Sequence, residues 1–200
     1  MPADVTTQGF APDARERLPM PSASSMNDTQ RAAAQALIDG PRKGVYGPFL
    51  PLLRSPQLLE RVAKMGEYLR FESGLEPRVR ELVTCAVARH TGNQFEWVMH
   101  APLAAKAGVA QAAIDALRAG ARPRQLQRDE EIALDFTREL LATHGVSDGT
   151  YADALARFGE TGVVELTALI GYFGMVCWVM NVARTPAQAA AVDPLGALPA

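Results

Sequence analysis

Thiols, histidines and any excess of charge are what this sequence lacks. It has two cysteines in 200 residues. Cys85 and Cys177 each sit in an apolar run, with no Cys-x-x-Cys spacing, so neither a disulfide framework nor a thiolate zinc site is written in the chain. Both read as small core residues of a protein kept in a reducing compartment, the cytoplasm. Twenty Lys and Arg against 22 Asp and Glu leave a formal net charge of −2 and a pI near 5.9. That balance gives no electrostatic footprint for nucleic acid. The densest basic stretch, RPRQLQR at Arg122–Arg128, reads as a solvated loop. No segment qualifies as a membrane span. Leu166–Ala183 is the most apolar run, but two glycines, a threonine and Asn181 interrupt it, Glu165 precedes it, and a span needs about 20 strongly apolar residues. Met1–Met26 has neither the basic start nor the apolar core of a secretory signal. Sustained alternation and Asn-Gly hairpins are missing too, so strands are not expected.

What remains is helix, in one domain with enough apolar residues (48%) for a substantial core. Met1–Met26, with four prolines and few bulky apolar groups, is expected to be extended or disordered. Residues 27–184 form the helical domain, and 185–200, again rich in Pro, Ala and Gly, form a tail. Asn27 or Asp28 can cap a helix to Asp39. Pro41–Arg54 is a loop whose apolar residues, Tyr46 and Phe49 among them, should pack down and line a pocket. Ser55-Pro56 starts the next helix. Pro77 opens another, ending near Gly92, and Asn93 begins the one after, with Pro102 inside it. Short and amphipathic helices follow over Ala110–Ala119 and Arg128–Thr143. Ser147 caps one through Phe158, and a long helix runs from about Thr161 to Ala183. The total is about eight.

Chemistry concentrates between Glu81 and Gly108, in ELVTCAVARHTGNQFEWVMHAPLAAKAG. Glu96 and His100 are four residues apart, which puts them on one helix face about 5–6 Å apart. If the helices on either side of Gly92–Asn93 pack as a hairpin, Glu81 faces the same space. Two carboxylates and an imidazole in apolar surroundings are the ingredients of proton transfer. Each also has a plainer reading. Glu96, three residues after Asn93, could complete a capping box. Glu81 could simply exploit the positive end of its helix. Cys85, one turn beyond Glu81, reads as a structural thiol that could border the pocket, with Trp97 as part of its wall. His90 and His144 sit at helix ends and are not site candidates. A metal is not expected, because a catalytic zinc needs a third protein ligand and none is designated.

The same residues resemble the carboxymuconolactone decarboxylase family, which includes the alkylhydroperoxidase D-type proteins. Arg80–Leu82 (REL), Ala88–Gly92 (ARHTG) and above all Phe95–Val109 (FEWVMHAPLAAKAGV) carry the resemblance, with weaker similarity from Gly40 to about Ala183. The resemblance implies an all-α, alkylhydroperoxidase D-like bundle. It also implies a homo-oligomer: a trimer, or a dimer or hexamer. Glu81 and His100 match the family's helix glutamate and histidine. Peroxidase members carry a Cys-x-x-Cys pair four residues before that histidine, and here Asn93 and Glu96 stand in those positions. Without the dithiol, the expected chemistry is cofactor-free decarboxylation or isomerisation of a small organic acid or lactone, with His100, Glu96 and Glu81 moving protons. The alternatives are a non-catalytic oligomeric helical binding protein and, with less support, a peroxidase.

One internal echo stands out. Glu96-Trp97-Val98-Met99-His100 is matched by Cys177-Trp178-Val179-Met180-Asn181, and Glu81-Leu82 by Glu165-Leu166. Either a helical hairpin is duplicated, or two buried helices resemble one another by chance.

Overall fold

The computed structural model describes residues 5–6, 8, 15–188 and 193–196. Eight helices run through them: α1 (Asp28–Asp39), α2 (Phe49–Leu52), α3 (Pro56–Glu67), α4 (Pro77–Thr91), α5 (Gln94–Lys106), α6 (Gln111–Arg118), α7 (Arg128–Thr143) and α8 (Asp148–Ala183). A π-helical turn, Tyr68–Glu72, prolongs α3.

The sequence punctuation sets most of these boundaries. Asn27 accepts from the Gln30 N–H and Gln30 reaches back, a full capping box at α1. Pro56 and Pro77 occupy first-turn positions, where no backbone donor is lost. Gly92 ends α4 at φ 63°, a left-handed cap that glycine adopts without Cβ strain. α5 continues through Pro102. α8 contains a break at Gly159 (φ 69°, ψ 176°), so it is a short helix and a long one joined end to end.

α4 lies at the centre and packs against α5, α7 and α8. It buries apolar residues around most of its circumference, Val79, Leu82, Val83, Cys85, Ala86, Val87 and Ala88, as a helix surrounded by others must, with Glu81, Thr84 and Arg89 buried among them. Its two flanks feed two cores. One joins α1, α2, α3, α7 and α8 around Leu53, Val83, Phe136 and Phe173. The other joins α5 and α6 to the chain's end around Leu82, Trp97, Ile114 and Leu195. At the N-terminal end of α4, Arg78 bridges to Asp129 at 2.9 Å and Glu130 at 3.0 Å, locking α4 to α7.

The end segments are more integrated than their composition suggests. Val5–Thr6 (β1) pairs antiparallel with Ala187–Gln188 (β2), a two-residue strand pair where none was expected. Gln8 brackets the α4–α5 turn, donating to the Gly92 carbonyl and accepting from the Gln94 N–H. Ala187 and Leu195 are buried, and the Trp97 indole donates to the Asp193 carbonyl. The expected tail is therefore, in its described part, a strap across α5. Its backbone polar groups, with few partners of their own, are satisfied by side chains of α4 and α5. Residues 1–4, 7, 9–14, 189–192 and 197–200 lie outside the described residues.

The apolar run of α8 belongs to a core helix and is mostly buried, and Glu165 just ahead of it accepts from Tyr68 Oη and the Gly74 N–H. The internal echo does not become a second hairpin. Glu165-Leu166 and Cys177–Asn181 lie on one helix with no turn between them, whereas Glu81 and His100 lie on two. The two tryptophans differ accordingly, Trp97 being buried and Trp178 61% exposed.

Candidate active site

The α4–α5 hairpin brings Glu81 onto His100. Glu81 Oε2 lies 2.6 Å from Nδ1, and Glu96 Oε2 lies 3.2 Å from Nε2. All three side chains are buried. One imidazole is thus gripped through both nitrogens by two carboxylates from two helices.

Glu96 is not the helix cap. Asn93 caps α5 alone, its Oδ1 accepting from the Glu96 N–H at 2.8 Å. The Asn93 amide also donates to the Cys177 carbonyl and to Asn181 Oδ1, tying the start of α5 to α8. The Glu96 carboxylate is left for His100. Burial works against charging the imidazole, but hydrogen bonds and charge from Glu81 and Glu96 outweigh it and raise the His100 pKa to about 9. At neutral pH both ring nitrogens therefore carry protons. The Phe173 ring packs against the imidazole at a centroid distance of 5.0 Å, edge to face.

Glu96 and His100 open onto a cavity of about 320 Å³. Tyr46 stands at its rim, 54% exposed, and Phe49 is one of its buried walls. The loop expected over residues 41–54 supplies both, partly as the one-turn α2. Gly47, at φ 52°, lets that loop run against Phe95; a Cβ there would lie 2.3 Å from the ring.

Three residues expected at the cavity lie elsewhere. Glu81 sits behind His100, reaching the cavity only through the ring. Trp97, one residue after Glu96, points away into the second core and to Asp193. Cys85 is fully buried in that core, and burial together with the Glu81 and Glu96 charges drives its thiol far above the ordinary range. Cys177 is pushed up in the same way, by burial first. The basic stretch Arg122–Arg128 is spent on ion pairs, Arg122 with Asp135 and Arg128 with Glu131 and Asp153.

The sequence reading missed Arg42, Arg70, Tyr172 and Phe173, all of which line the cavity. Arg42 carried no distinguishing signal, being one of three basic residues, with Lys43 and Arg54, in the loop. Tyr172-Phe173 was marked by being an aromatic pair between Gly171 and Gly174 inside an apolar helix. Among the described residues, no group of three or more His, Cys, Asp or Glu side chains has metal-holding geometry.

Comparisons with known proteins agree on the architecture. Residues 56–139 match the carboxymuconolactone decarboxylase family. No curated protein matches the chain significantly. Among solved structures, an alkylhydroperoxidase AhpD-core, peroxidase-related protein from Ralstonia eutropha JMP134 superposes with a TM-score of 0.67 at 19% identity, covering 85% of this chain and 90% of its own. A peroxidase-related protein from Silicibacter sp. TM1040 gives 0.67 at 16% identity, over 92% and 94%. A cysteine-to-alanine variant of the debrominase Bmp8, in complex with 2,3,4-tribromopyrrole, gives 0.65 at 12% identity, over 88% and 94%. The fold is alkylhydroperoxidase D-like, and the family-matched segment runs from α3 to α7, carrying Glu81, Glu96 and His100.

Proposed function

We propose that this carboxymuconolactone decarboxylase-like chain is a cofactor-free proton-transfer enzyme acting on a small organic acid or lactone, by decarboxylation or isomerisation. The observation that carries this reading is the two-sided grip on His100. An imidazole held charged between one carboxylate behind it and one at the cavity wall is a store for a single proton that faces the cavity. Glu81 fixes the ring and stabilises its charge. Glu96 and His100 present the proton at the cavity wall. In a decarboxylation the C–C bond to the leaving carboxylate breaks, CO2 departs, and the electron pair stays on carbon as an enolate-type carbanion. The proton shared by His100 and Glu96 then passes to that carbon, and solvent restores it. Isomerisation uses the same pair twice, to remove a proton from one carbon and return it to another. A peroxidase cycle has little support, since Asn93 and Glu96 replace the thiols and both cysteines are sealed.

The rival reading, a non-catalytic binding protein, is favoured by one observation. The triad satisfies its own hydrogen bonds, as a purely structural cluster would. Screening small carboxylic acids and lactones for CO2 release or isomerisation, in parallel with Glu96→Gln, separates the two. Turnover lost in Glu96→Gln supports the enzyme. Binding without turnover across the screen supports the rival. Two buried free thiols suit a cytoplasmic protein.

The working form we propose is a homo-oligomer built on α8. Val164, Ala168, Gly171, Met175, Trp178 and Val182 form an uncharged stripe with alternating spacings of four and three residues, the pattern of a coiled-coil seam. Val164, Trp178 and Val182 are each more than 60% exposed. Laid antiparallel on a second copy, Trp178 falls opposite Ala168 and Met175 opposite Gly171, large against small, while Val164 meets Val182. Glu160 at one end then approaches Arg184 of the other copy. This two-fold contact gives a dimer, or a hexamer assembled from dimers. Light scattering at micromolar concentration should show an oligomer that Trp178→Glu dissociates. A wild-type monomer overturns the assembly.

A further inference from the structure

We propose that the cavity beside His100 anchors its ligand by a carboxylate, held between Arg42 and Arg70 with Tyr172 as hydrogen-bond donor, while a flat apolar body lies along Phe49, Phe95 and Phe173. The inference deepens the proton-transfer reading, resting on it only for which end of the ligand reacts.

Arg42 is a largely buried cation whose counter-charge is held at a distance. Its guanidinium stacks on Phe49 at 4.5 Å, and Nη2 is spent on the Ala63 carbonyl at 2.9 Å. Glu67 stands off at 3.7 Å and Glu96 acts on Arg42 only through its charge, so Nε is buried without a hydrogen-bond partner. A guanidinium cannot escape this by losing its proton, so what it lacks is a charged acceptor close enough to hydrogen-bond. Arg70 lines the same cavity and adds a second positive charge. Burial lowers the Arg42 pKa and the like charge of Arg70 lowers it further, against the opposing pull of Tyr172, Glu67 and Glu96. A carboxylate between the two arginines would relieve that repulsion and can accept two parallel N–H bonds from one of them.

Tyr172 completes the head site. Its hydroxyl makes no hydrogen bond among the described residues, and burial holds the phenol neutral, with a pKa pushed up to about 12. Gly66 makes the room: a Cβ there would sit 2.1 Å from the hydroxyl and 3.2 Å from Arg42 Nη2. From this head the cavity wall runs to the triad along Phe173, whose ring lies 5.2 Å from that of Tyr172 and 5.0 Å from that of His100. Anchor and proton source are thus one aromatic ring apart. The carboxylate bound at Arg42 is then a handle that persists through the reaction, and the carbon that takes the proton lies at the far end of the body. A volume of about 320 Å³ admits a single-ring or similarly compact acid.

Benzoate, benzamide and inorganic phosphate are suitable probes, titrated calorimetrically into the full chain at neutral pH. Benzoate should bind at least tenfold more tightly than the isosteric, uncharged benzamide, and more tightly than phosphate. Arg42→Gln should erase the benzoate preference while leaving benzamide unchanged. Arg70→Gln, a partly exposed position, keeps the test alive if Arg42→Gln fails to fold, and should weaken benzoate several-fold. Equal binding of benzoate and benzamide, or a preference that survives in the folded arginine variants, overturns the carboxylate site. Phosphate binding as tightly as benzoate overturns the apolar-body half. Glu96→Gln separates this inference from the one beneath it. If it binds benzoate as before and turns substrate over at the wild-type rate, the carboxylate site stands and the proton-transfer reading falls.

Discussion

His100 Nδ1 lies 2.6 Å from Glu81 Oε2 across the seam between α4 and α5, with both side chains buried. The contact packs α4 on α5 and, on the proposed function, also positions His100, so perturbing it is expected to show in stability as well as in rate.

Removing His100 is expected to destabilise the protein. His100→Ala leaves Glu81 and Glu96 buried without their shared cation, a situation that costs about 3–5 kcal/mol when a buried pair loses one partner. Urea denaturation should show that loss, and Glu81→Gln in the same chain should recover part of it by removing one stranded charge. If His100→Ala is as stable as wild type, water already reaches the triad and the grip is weaker than the geometry indicates.

Stability should fall at alkaline pH for the same reason. The folded-state pKa of His100 is raised to about 9 from an ordinary 6.5. Its contribution is therefore complete below about pH 6.5 and disappears as the pH rises through about 9, a change on the order of 3 kcal/mol. Denaturation midpoints measured from pH 6 to 10 should decline across that window, and the decline should flatten in Glu81→Gln. A profile that is level there, or that rises, contradicts a charged His100 at neutral pH.

Much of this site was legible in the sequence because it obeys helix geometry. Glu96 and His100 share a face by their spacing, and the turn at Gly92–Asn93 implied the hairpin that delivers Glu81. The misplaced residues follow the same geometry. Trp97 is rotated about 100° from Glu96, so it cannot share the cavity face. Cys85 does lie one turn beyond Glu81, but it is fully buried in the core shared with α5 and α6. Arg42, Arg70 and Tyr172 were not legible, since they come from a loop, a π-helical turn and α8. No periodicity within one segment reports which segments converge. The contacts of the chain's ends were not legible for a related reason: Pro- and Ala-rich composition marks the absence of helix, not of contacts, and Gln8, Asp193 and Leu195 are held by partners far away in sequence.

Peroxide chemistry offers a negative test. Cys85 and Cys177 are buried, and burial drives both thiols well above the ordinary range, so the reactive thiolate is scarce. Incubation with an alkyl hydroperoxide and a dithiol reductant should give no catalytic turnover. Robust reduction that vanishes in Cys85→Ser would reverse this conclusion.

Gly66 is the position where a single methyl group should be most informative. A Cβ would meet the Tyr172 hydroxyl at 2.1 Å and Arg42 Nη2 at 3.2 Å, and neither is the loose end of a surface chain. Tyr172 is wedged against Phe173, and Arg42 is stacked on Phe49. Ala is a better helix former than Gly by about 1 kcal/mol, so in an uncrowded helix Gly66→Ala would stabilise. Here the clash should override that gain, lowering stability by about 1–3 kcal/mol through overpacking. It should also displace the Tyr172 hydroxyl and the Arg42 guanidinium from the cavity. Benzoate affinity should therefore fall along with the melting temperature. Gly66→Ala combined with Tyr172→Phe removes the clashing oxygen and should restore stability without restoring benzoate binding. If Gly66→Ala alone proves more stable than wild type, Tyr172 does not occupy the space beside α3, and its place in the carboxylate site is lost.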